Sequence, residues 1–439
     1  MDEKNNASVI KTANAVGYSI QNDLNLVKRR TTKRQVASVK TIEASPVAAR
    51  PYIEFPLSLH AEYVDSVESY LKFKIEYNTS LTTGVSNTTP GKLSSGFTDF
   101  FRSIQIVDRF GNVLEDIQNG LHHICSFMAT STHDNAYLHH TTYVFPADKT
   151  LTRTPSINLI VIPLHFLCGL FKTNRLIPPH VLDGARVRLG VRSANAVFSP
   201  TAADVLDESN QEGWEYTITD PEIVFSTYVL DDRLHEMLTH EYETTGLQFS
   251  FYSHYTLSKK LPTAGVTDTI NITQPFSRAS GVVGCIERYA NDAWQDAYYD
   301  LMFPTKVPGP YVYKSYVARV GDVQIPDNPV ESNWLELFHL WVAAFRKHRS
   351  GGISSEAHRD FLEGQRFIVD TNRQVVGGDP SGQQINHTFP VAIATSLEAA
   401  ETCTSEITSV SAVLGRRLQL FVHHQRVVLA QAGGHKLAV

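Results

Sequence analysis

Leu71-Lys72-Phe73-Lys74-Ile75-Glu76-Tyr77 alternates apolar and charged side chains without a break. Successive side chains of a strand point to opposite faces, so a period of two describes a half-buried antiparallel strand. Arg186-Val187-Arg188-Leu189-Gly190-Val191 repeats the pattern. Similar short segments lie at 104–107, 158–163, 216–219, 223–229, 248–255, 269–273, 281–286, 311–320, 366–370, 389–395 and 418–429. Turn-rich spacers separate them, such as Thr83-Gly84-Val85-Ser86-Asn87 and Gly377-Gly378-Asp379-Pro380-Ser381-Gly382. Many short strands, long polar loops and no alternation of strand with helix predict an all-β chain built of sandwiches or barrels.

Helices are expected to be few. In residues 332–348, Trp334, Phe338, Trp341 and Phe345 fall at i, i+4, i+7 and i+11, a single aromatic stripe. Ser332 or Asn333 can cap its start, and Gly351-Gly352 closes it. Such a stripe is read as core packing against a sheet. A second helix is expected over 117–128 and a short third over 231–239, between two strand-rich halves.

Those halves echo one another. Arg109-Phe110-Gly111-Asn112-Val113 and Arg319-Val320-Gly321-Asp322-Val323 share the pattern Arg-x-Gly-Asn/Asp-Val, 210 residues apart. Each follows a strand, places a glycine (Gly111, Gly321) where a tight turn needs one, and precedes an expected helix. Five residues alone say little, but the matching order of neighbouring elements points to two versions of one strand-rich unit. The expected division is an arm over 1–50, a first sandwich over 51–230, a connector over 231–246, a second sandwich over 247–430 and a tail over 431–439.

The formal net charge of −6 over 439 residues conceals a split: residues 1–50 carry +5 and the rest −11. Within the arm, Lys28, Arg29, Arg30, Lys33 and Arg34 cluster with no carboxylate close in sequence. The segment is poor in large apolar residues, so it is expected to be mobile or ordered only against a partner. Contact with phosphates of nucleic acid or lipid headgroups, a solvated tail and a nuclear-import address all fit these residues.

No catalytic signature is present. The adjacent pairs His122-His123, His139-His140 and His423-His424 would point to opposite faces of a strand, which makes them poor joint ligands. His235 and His240 lack the i, i+4 spacing of a helical metal motif. No nucleophile elbow, phosphate-cradling glycine loop or zinc-protease motif occurs, so no catalytic, cofactor-binding or metal-binding residue is expected. Cys125, Cys168, Cys285 and Cys403 are too scattered for a disulfide scaffold and are read as buried apolar packing. The first thirty residues lack the apolar core of a signal peptide, and the most apolar run, 159–171, is too short to span a bilayer.

Several stretches carry a resemblance to a known family. Tyr70-Leu71-Lys72-Phe73-Lys74-Ile75 followed by Phe100-Phe101-Arg102-Ser103-Ile104-Gln105-Ile106-Val107-Asp108-Arg109-Phe110-Gly111-Asn112 resembles the first half of double jelly-roll major capsid proteins. Val161-Ile162-Pro163-Leu164, with Arg175-Leu176-Ile177-Pro178-Pro179 before a strand, does the same. In the second half, Ser315-Tyr316-Val317-Ala318-Arg319-Val320-Gly321-Asp322-Val323-Gln324-Ile325-Pro326-Asp327-Asn328-Pro329-Val330 looks like the strand and Pro-containing turn before that family's helix. The similarity spans roughly residues 50–430 and is closest to capsid proteins of polinton-like viruses and virophages.

The resemblance implies two tandem eight-stranded jelly rolls. It implies a homotrimer of pseudo-hexagonal outline that tiles an icosahedral virion together with neighbouring capsomers, penton proteins and minor capsid proteins. It also implies that the termini lie inside the shell. Lys28, Arg29, Arg30, Lys33 and Arg34 would then meet viral DNA, an internal membrane or a minor capsid protein. The loops 78–95, 194–213 and 370–386 become candidates for the exterior crown or the trimer contacts. A carbohydrate- or surface-binding sandwich and a minor or vertex capsid protein are the alternatives, since jelly rolls also host lectins and cupins. A cupin needs a histidine-rich metal constellation that this sequence does not show.

Overall fold

The computed structural model describes residues 27–44, 52–79, 91–93, 100–121, 124–125, 150–151, 156–173, 176–192, 198–200, 214–261, 267–268, 279–289, 315–320, 323–331, 336, 339–340, 367–370, 395–396, 415–431 and 434–438. The stretch Leu71–Tyr77 lies inside a long strand, Tyr63–Thr79 (β4). Leu71, Phe73 and Ile75 are buried, whereas Lys72 and Lys74 face outward into ion pairs with Glu222 and Asp220.

The other strands of the first half are Val27–Val36 (β1), Thr41–Ala44 (β2), Tyr52–Pro56 (β3), Gly91–Leu93 (β5), Phe101–Val107 (β6), Val113–Ile117 (β7), Thr150–Leu151 (β8), Ser156–Pro163 (β9), Arg186–Val191 (β10), Phe198–Pro200 (β11) and Trp214–Leu230 (β12). They form one sheet in the order β1-β12-β4-β9, with β2 also on β12, and a second in the order β3-β10-β6-β7. Leu71, Phe73, Ile160, Ile162 and Phe225 from the first sheet share one core with Phe55, Ile104, Ile106, Val187 and Leu189 from the second. Edge-to-face contacts lock it: Phe73 lies 5.4 Å from Phe101, and Phe100 lies 5.2 Å from Tyr216.

The second half comprises Leu247–Leu261 (β13), Thr267–Asp268 (β14), Ala279–Tyr289 (β15), Ser315–Val320 (β16), Val323–Glu331 (β17), Phe367–Asp370 (β18), Thr395–Ser396 (β19), Gly415–Gln431 (β20) and Gly434–Ala438 (β21). Its sheets run β13-β20-β15-β18, with β21 added to β20, and β14-β19-β16-β17. Counting only the eight principal strands of each half in chain order, both halves have sheets ordered 1-8-3-6 and 2-7-4-5. That is jelly-roll wiring, and the chain carries it twice. Pro326 and Pro329 sit in β17, which is an edge strand where a missing N–H costs no ladder bond.

Two expected boundaries are corrected. The arm expected over 1–50 is, over Val27–Val36, the first strand of the first roll, paired antiparallel with β12 from Val27↔Leu230 to Val36↔Glu222. Its sequence did not read as a strand because its described inward positions, Thr31, Lys33 and Gln35, are polar. The tail expected over 431–439 includes β21, which folds back on β20 from Gln431↔Gly434 to Val427↔Ala438. The segments expected at 216–219 and 223–229 are one strand, β12, bent at Asp220 (φ 51°) and Pro221 by a register shift against β4.

The connector is a helix, Asp232–Thr244 (α1), longer than the expected 231–239. Asp231 caps it by accepting from the Arg233 N–H at 3.1 Å, and Gly246 follows at φ 84°. The segment expected as a helix over 117–128 opens instead with the last residue of β7; helical residues are described at Leu121, Ile124 and Cys125, all buried. Glu336, His339 and Leu340 are helical, and Leu340 packs on the core. Trp334, Phe338, Trp341 and Phe345 lie outside the described residues, as does Gly321.

Candidate interaction surfaces

The repeated motif falls at the same step of both rolls. Arg109–Val113 joins β6 to β7 and Arg319–Val323 joins β16 to β17, the fourth and fifth principal strands of each roll. In the first copy Asp108 builds the turn: its Oδ1 accepts from the backbone N–H groups of Phe110 (2.8 Å) and Asn112 (2.7 Å). Gly111 holds φ 92°, a conformation L side chains resist. In the second copy Ala318 stands where Asp108 stands in the first. Arg109 donates to the Tyr242 hydroxyl at 2.8 Å, so this turn also fastens α1 to the first roll.

The same helix meets a histidine cluster. The rings of His180 and Tyr242 are 4.4 Å apart, His180 stacks on His235 at 6.2 Å, and Tyr63 meets His235 edge-on. Burial, followed by the charges of His235 and Arg109, pushes the His180 pKa down to about 4. Among the described residues, no three His, Cys, Asp or Glu side chains are placed to hold a metal ion.

A buried seam joins the two rolls. Glu115 on β7 is fully buried, and its carboxylate accepts from the N–H groups of Gly169 (3.0 Å) and Leu170 (2.8 Å) and from the Ser253 hydroxyl on β13 (2.6 Å). Burial raises its pKa against those hydrogen bonds and against the charge of Arg426 on β20. The two rolls approach so closely here that a Cβ on Gly169 would lie 1.5 Å from the Tyr252 carbonyl oxygen. A Cβ on Gly120 would lie 2.8 Å from the Phe421 ring.

Sequence reasoning missed this seam. A charged residue inside Val113–Ile117 reads as solvent-facing, and nothing local says that a second sheet will cover it. Gly169, a lone glycine in an apolar run, was the one available signal of a close backbone approach.

The basic cluster is ordered as part of a sheet. Lys33 and Arg29 pair with Glu62 at 3.3 and 3.9 Å, Arg30 pairs with Glu68, and Arg34 reaches Glu222 at 4.0 Å. The carboxylates absent from the local sequence are supplied by β4, β12 and the turn before β4. Lys72 also binds Glu222, at 2.7 Å, so the outer face of this sheet carries a charge ladder across three strands. The side chains of Arg29 and Arg34 remain 66% exposed.

At another place on the first roll, β5, β8 and β11 pair as β11-β5-β8. They belong to the connections β4–β6, β7–β9 and β10–β12, so a small sheet ties three long loops together. Two of these loops contain the expected crown segments 78–95 and 194–213; the third candidate, 370–386, is described only at Asp370, the last residue of β18. No described helix is long and apolar enough to cross a membrane.

No protein-family model matches the sequence, and no curated protein matches it. Solved structures do match, over nearly the whole chain. VP54 of the virus PBCV-1, fitted into a cryo-EM reconstruction of the virophage Sputnik, aligns with a TM-score of 0.57 at 10% identity, covering 94% of this chain and 97% of that one. A chain from the cryo-EM structure of the Sputnik virophage gives 0.57 at 7% identity, covering 94% and 89%. The Faustovirus major capsid protein gives 0.53 at 7% identity, covering 92% and 91%. At these identities the likeness is one of fold: the chain is a double jelly roll.

Proposed function

We propose that this chain is the major capsid protein of an icosahedral virus, a structural protein and not an enzyme. The observation that carries the reading is the duplicated 1-8-3-6 and 2-7-4-5 wiring over one chain, in a fold that aligns along nearly its full length with a major capsid protein. Two similar sandwiches per chain suit a trimer whose six rolls approximate a hexagon, since threefold closure needs only one heterologous contact repeated. The rigid seam at Glu115 and Gly169 supports this, because a tile must hold its two halves in a fixed relation.

Neighbouring copies are the partners this reading requires. The basic strand adds a finer proposal: its exposed guanidinium groups, Arg29 and Arg34, contact an acidic interior partner such as DNA or a membrane surface. Arg29 and Arg34 lie 3.9 and 4.0 Å from Glu62 and Glu222, a looser hold than that of Lys33 on Glu62 at 3.3 Å or of Arg30 on Glu68.

Light scattering and negative-stain microscopy of the purified protein test the assembly. A particle near three times 49.0 kDa with pseudo-hexagonal outline is expected. A monomer under all conditions overturns the reading. DNA retention at low salt tests the finer proposal: Arg29→Glu with Arg34→Glu should abolish it, and unchanged retention would remove these residues from the interior contact.

A further inference from the structure

Strand β1 sits at the sheet edge, and among its described side chains the inward positions are Thr31, Lys33 and Gln35. None brings an apolar side chain to the core. Thr31 donates to Glu62 at 2.9 Å and lies 2.6 Å from the Thr227 hydroxyl, which itself donates to Glu62 at 2.6 Å. Lys33 completes this clamp at 3.3 Å. Gln35 uses both ends of its amide on the backbone of Ser58, donating at 3.0 Å and accepting at 3.1 Å. On the outward side Arg30 binds Glu68 and the Ser226 hydroxyl, and Arg34 reaches Glu222.

We propose that β1 is a releasable strap, held on the first roll by ion pairs and hydrogen bonds in place of a buried apolar face, and freed by raised ionic strength while the rest of the roll stays folded. The inference concerns the isolated chain and does not depend on the capsid reading.

Glu62 is the hub. Burial opposes its ionisation, but hydrogen bonds from Thr227, Thr31 and Lys33, with the Lys33 charge, outweigh burial and hold its pKa below the ordinary carboxylate value. The clamp therefore works as a charged group meeting charged and polar partners. Salt acts on such contacts: the screening length falls from about 10 Å near 0.1 M to about 3 Å near 1 M. The backbone ladder to β12 and the apolar core beneath it have no comparable dependence.

What release does is also specified. It bares the backbone of 222–230 on β12, an unpaired edge of the kind that accepts another strand. It also frees the arginines from their carboxylates, restoring the loose basic arm that composition alone suggested.

The strap carries its own reporter, because trypsin cleaves at Lys28, Arg29, Arg30, Lys33 and Arg34 only when the strand leaves the sheet. Lys259, in β13 of the second roll, reports general unfolding. Between about 0.1 M and 1 M NaCl, cleavage within β1 should rise about ten-fold, normalised to an unstructured peptide, with cleavage at Lys259 unchanged. Glu62→Gln should raise cleavage already at low salt and flatten the salt dependence. A disulfide between Thr31→Cys and Thr227→Cys should suppress salt-dependent cleavage, and it stands as the test if Glu62→Gln does not fold. Salt-independent cleavage, equal acceleration at Lys259, or salt-dependent cleavage that persists with the disulfide closed would each overturn the proposal.

Discussion

Strand β1 opens the first roll and β13 opens the second, and each pairs with the last principal strand of its own roll, β12 or β20. Their inner faces differ. β13 turns Leu247, Phe249 and Phe251 inward, at 6%, 5% and 3% exposure. β1 presents Thr31, Lys33 and Gln35 and is tied through Glu62 and the Ser58 backbone. Jelly-roll wiring does not require an apolar pattern in every strand. Once six or seven strands have filled the core, an edge strand can be added by its backbone ladder and a polar clamp. What the sequence of that strand then sets is how firmly it is held.

Substitutions can break this comparison at several depths. Phe251→Ala in β13 removes a fully packed ring and should cost about 3–5 kcal/mol in urea unfolding. No residue facing inward from β1 should approach that value, and one that did would contradict the contrast. Gly169→Ala forces a methyl onto the Tyr252 carbonyl at the seam, and about 1–3 kcal/mol or more is expected, with the rolls separating before either unfolds. Loss of the proposed trimer at unchanged circular dichroism is the signature.

Acid distinguishes the two strands by range. Burial pushes the pKa of His254, on β13, down to about 3, with Lys172 and His424 contributing. Burial likewise lowers His424, on β20, to about 4, aided by Arg426 and opposed by the Val422 carbonyl. Folded values below the ordinary 6.5 mean that these neutral rings contribute stability in full above about pH 6.5, which is lost as the pH falls toward 4. Glu115, raised by burial, has the opposite sign and offsets part of that loss above pH 4.5. Glu62, being lowered, begins to release β1 only below about 4.5. Hydrogen exchange corrected for its intrinsic pH dependence should therefore show β13 and β20 loosening before β1 at low salt. The reverse order would sink this assignment.

The smaller effects belong to β1. Gln35→Leu strands the Ser58 N–H and carbonyl and should cost about 1–2 kcal/mol. Arg34→Ala, exposed and 4.0 Å from its carboxylate, should change stability by less than about 0.5 kcal/mol.

The repeat was legible from Arg109–Val113 and Arg319–Val323 because both fall between the fourth and fifth principal strands of a roll, a connection that favours glycine beside a small polar residue. The first strand was not legible. Val27–Val36 lacks apolar alternation, and the carboxylates that neutralise it arrive from residues 62, 68 and 222. Glu115 escaped notice for a related reason: its donors Gly169, Leu170 and Ser253 lie 54, 55 and 138 residues away.

By itself the sequence determined the class of structure: strands of period two, turn glycines, few helices and a doubled unit, all of which follow from local sterics and hydrophobic alternation. Only the tertiary structure decided where the charges go. A Lys or Glu is free or clamped according to what faces it across the sheet, and that partner is set by chain wiring. The +5 counted for residues 1–50 is therefore largely spent, across Val27–Val36, on the carboxylates of the first roll.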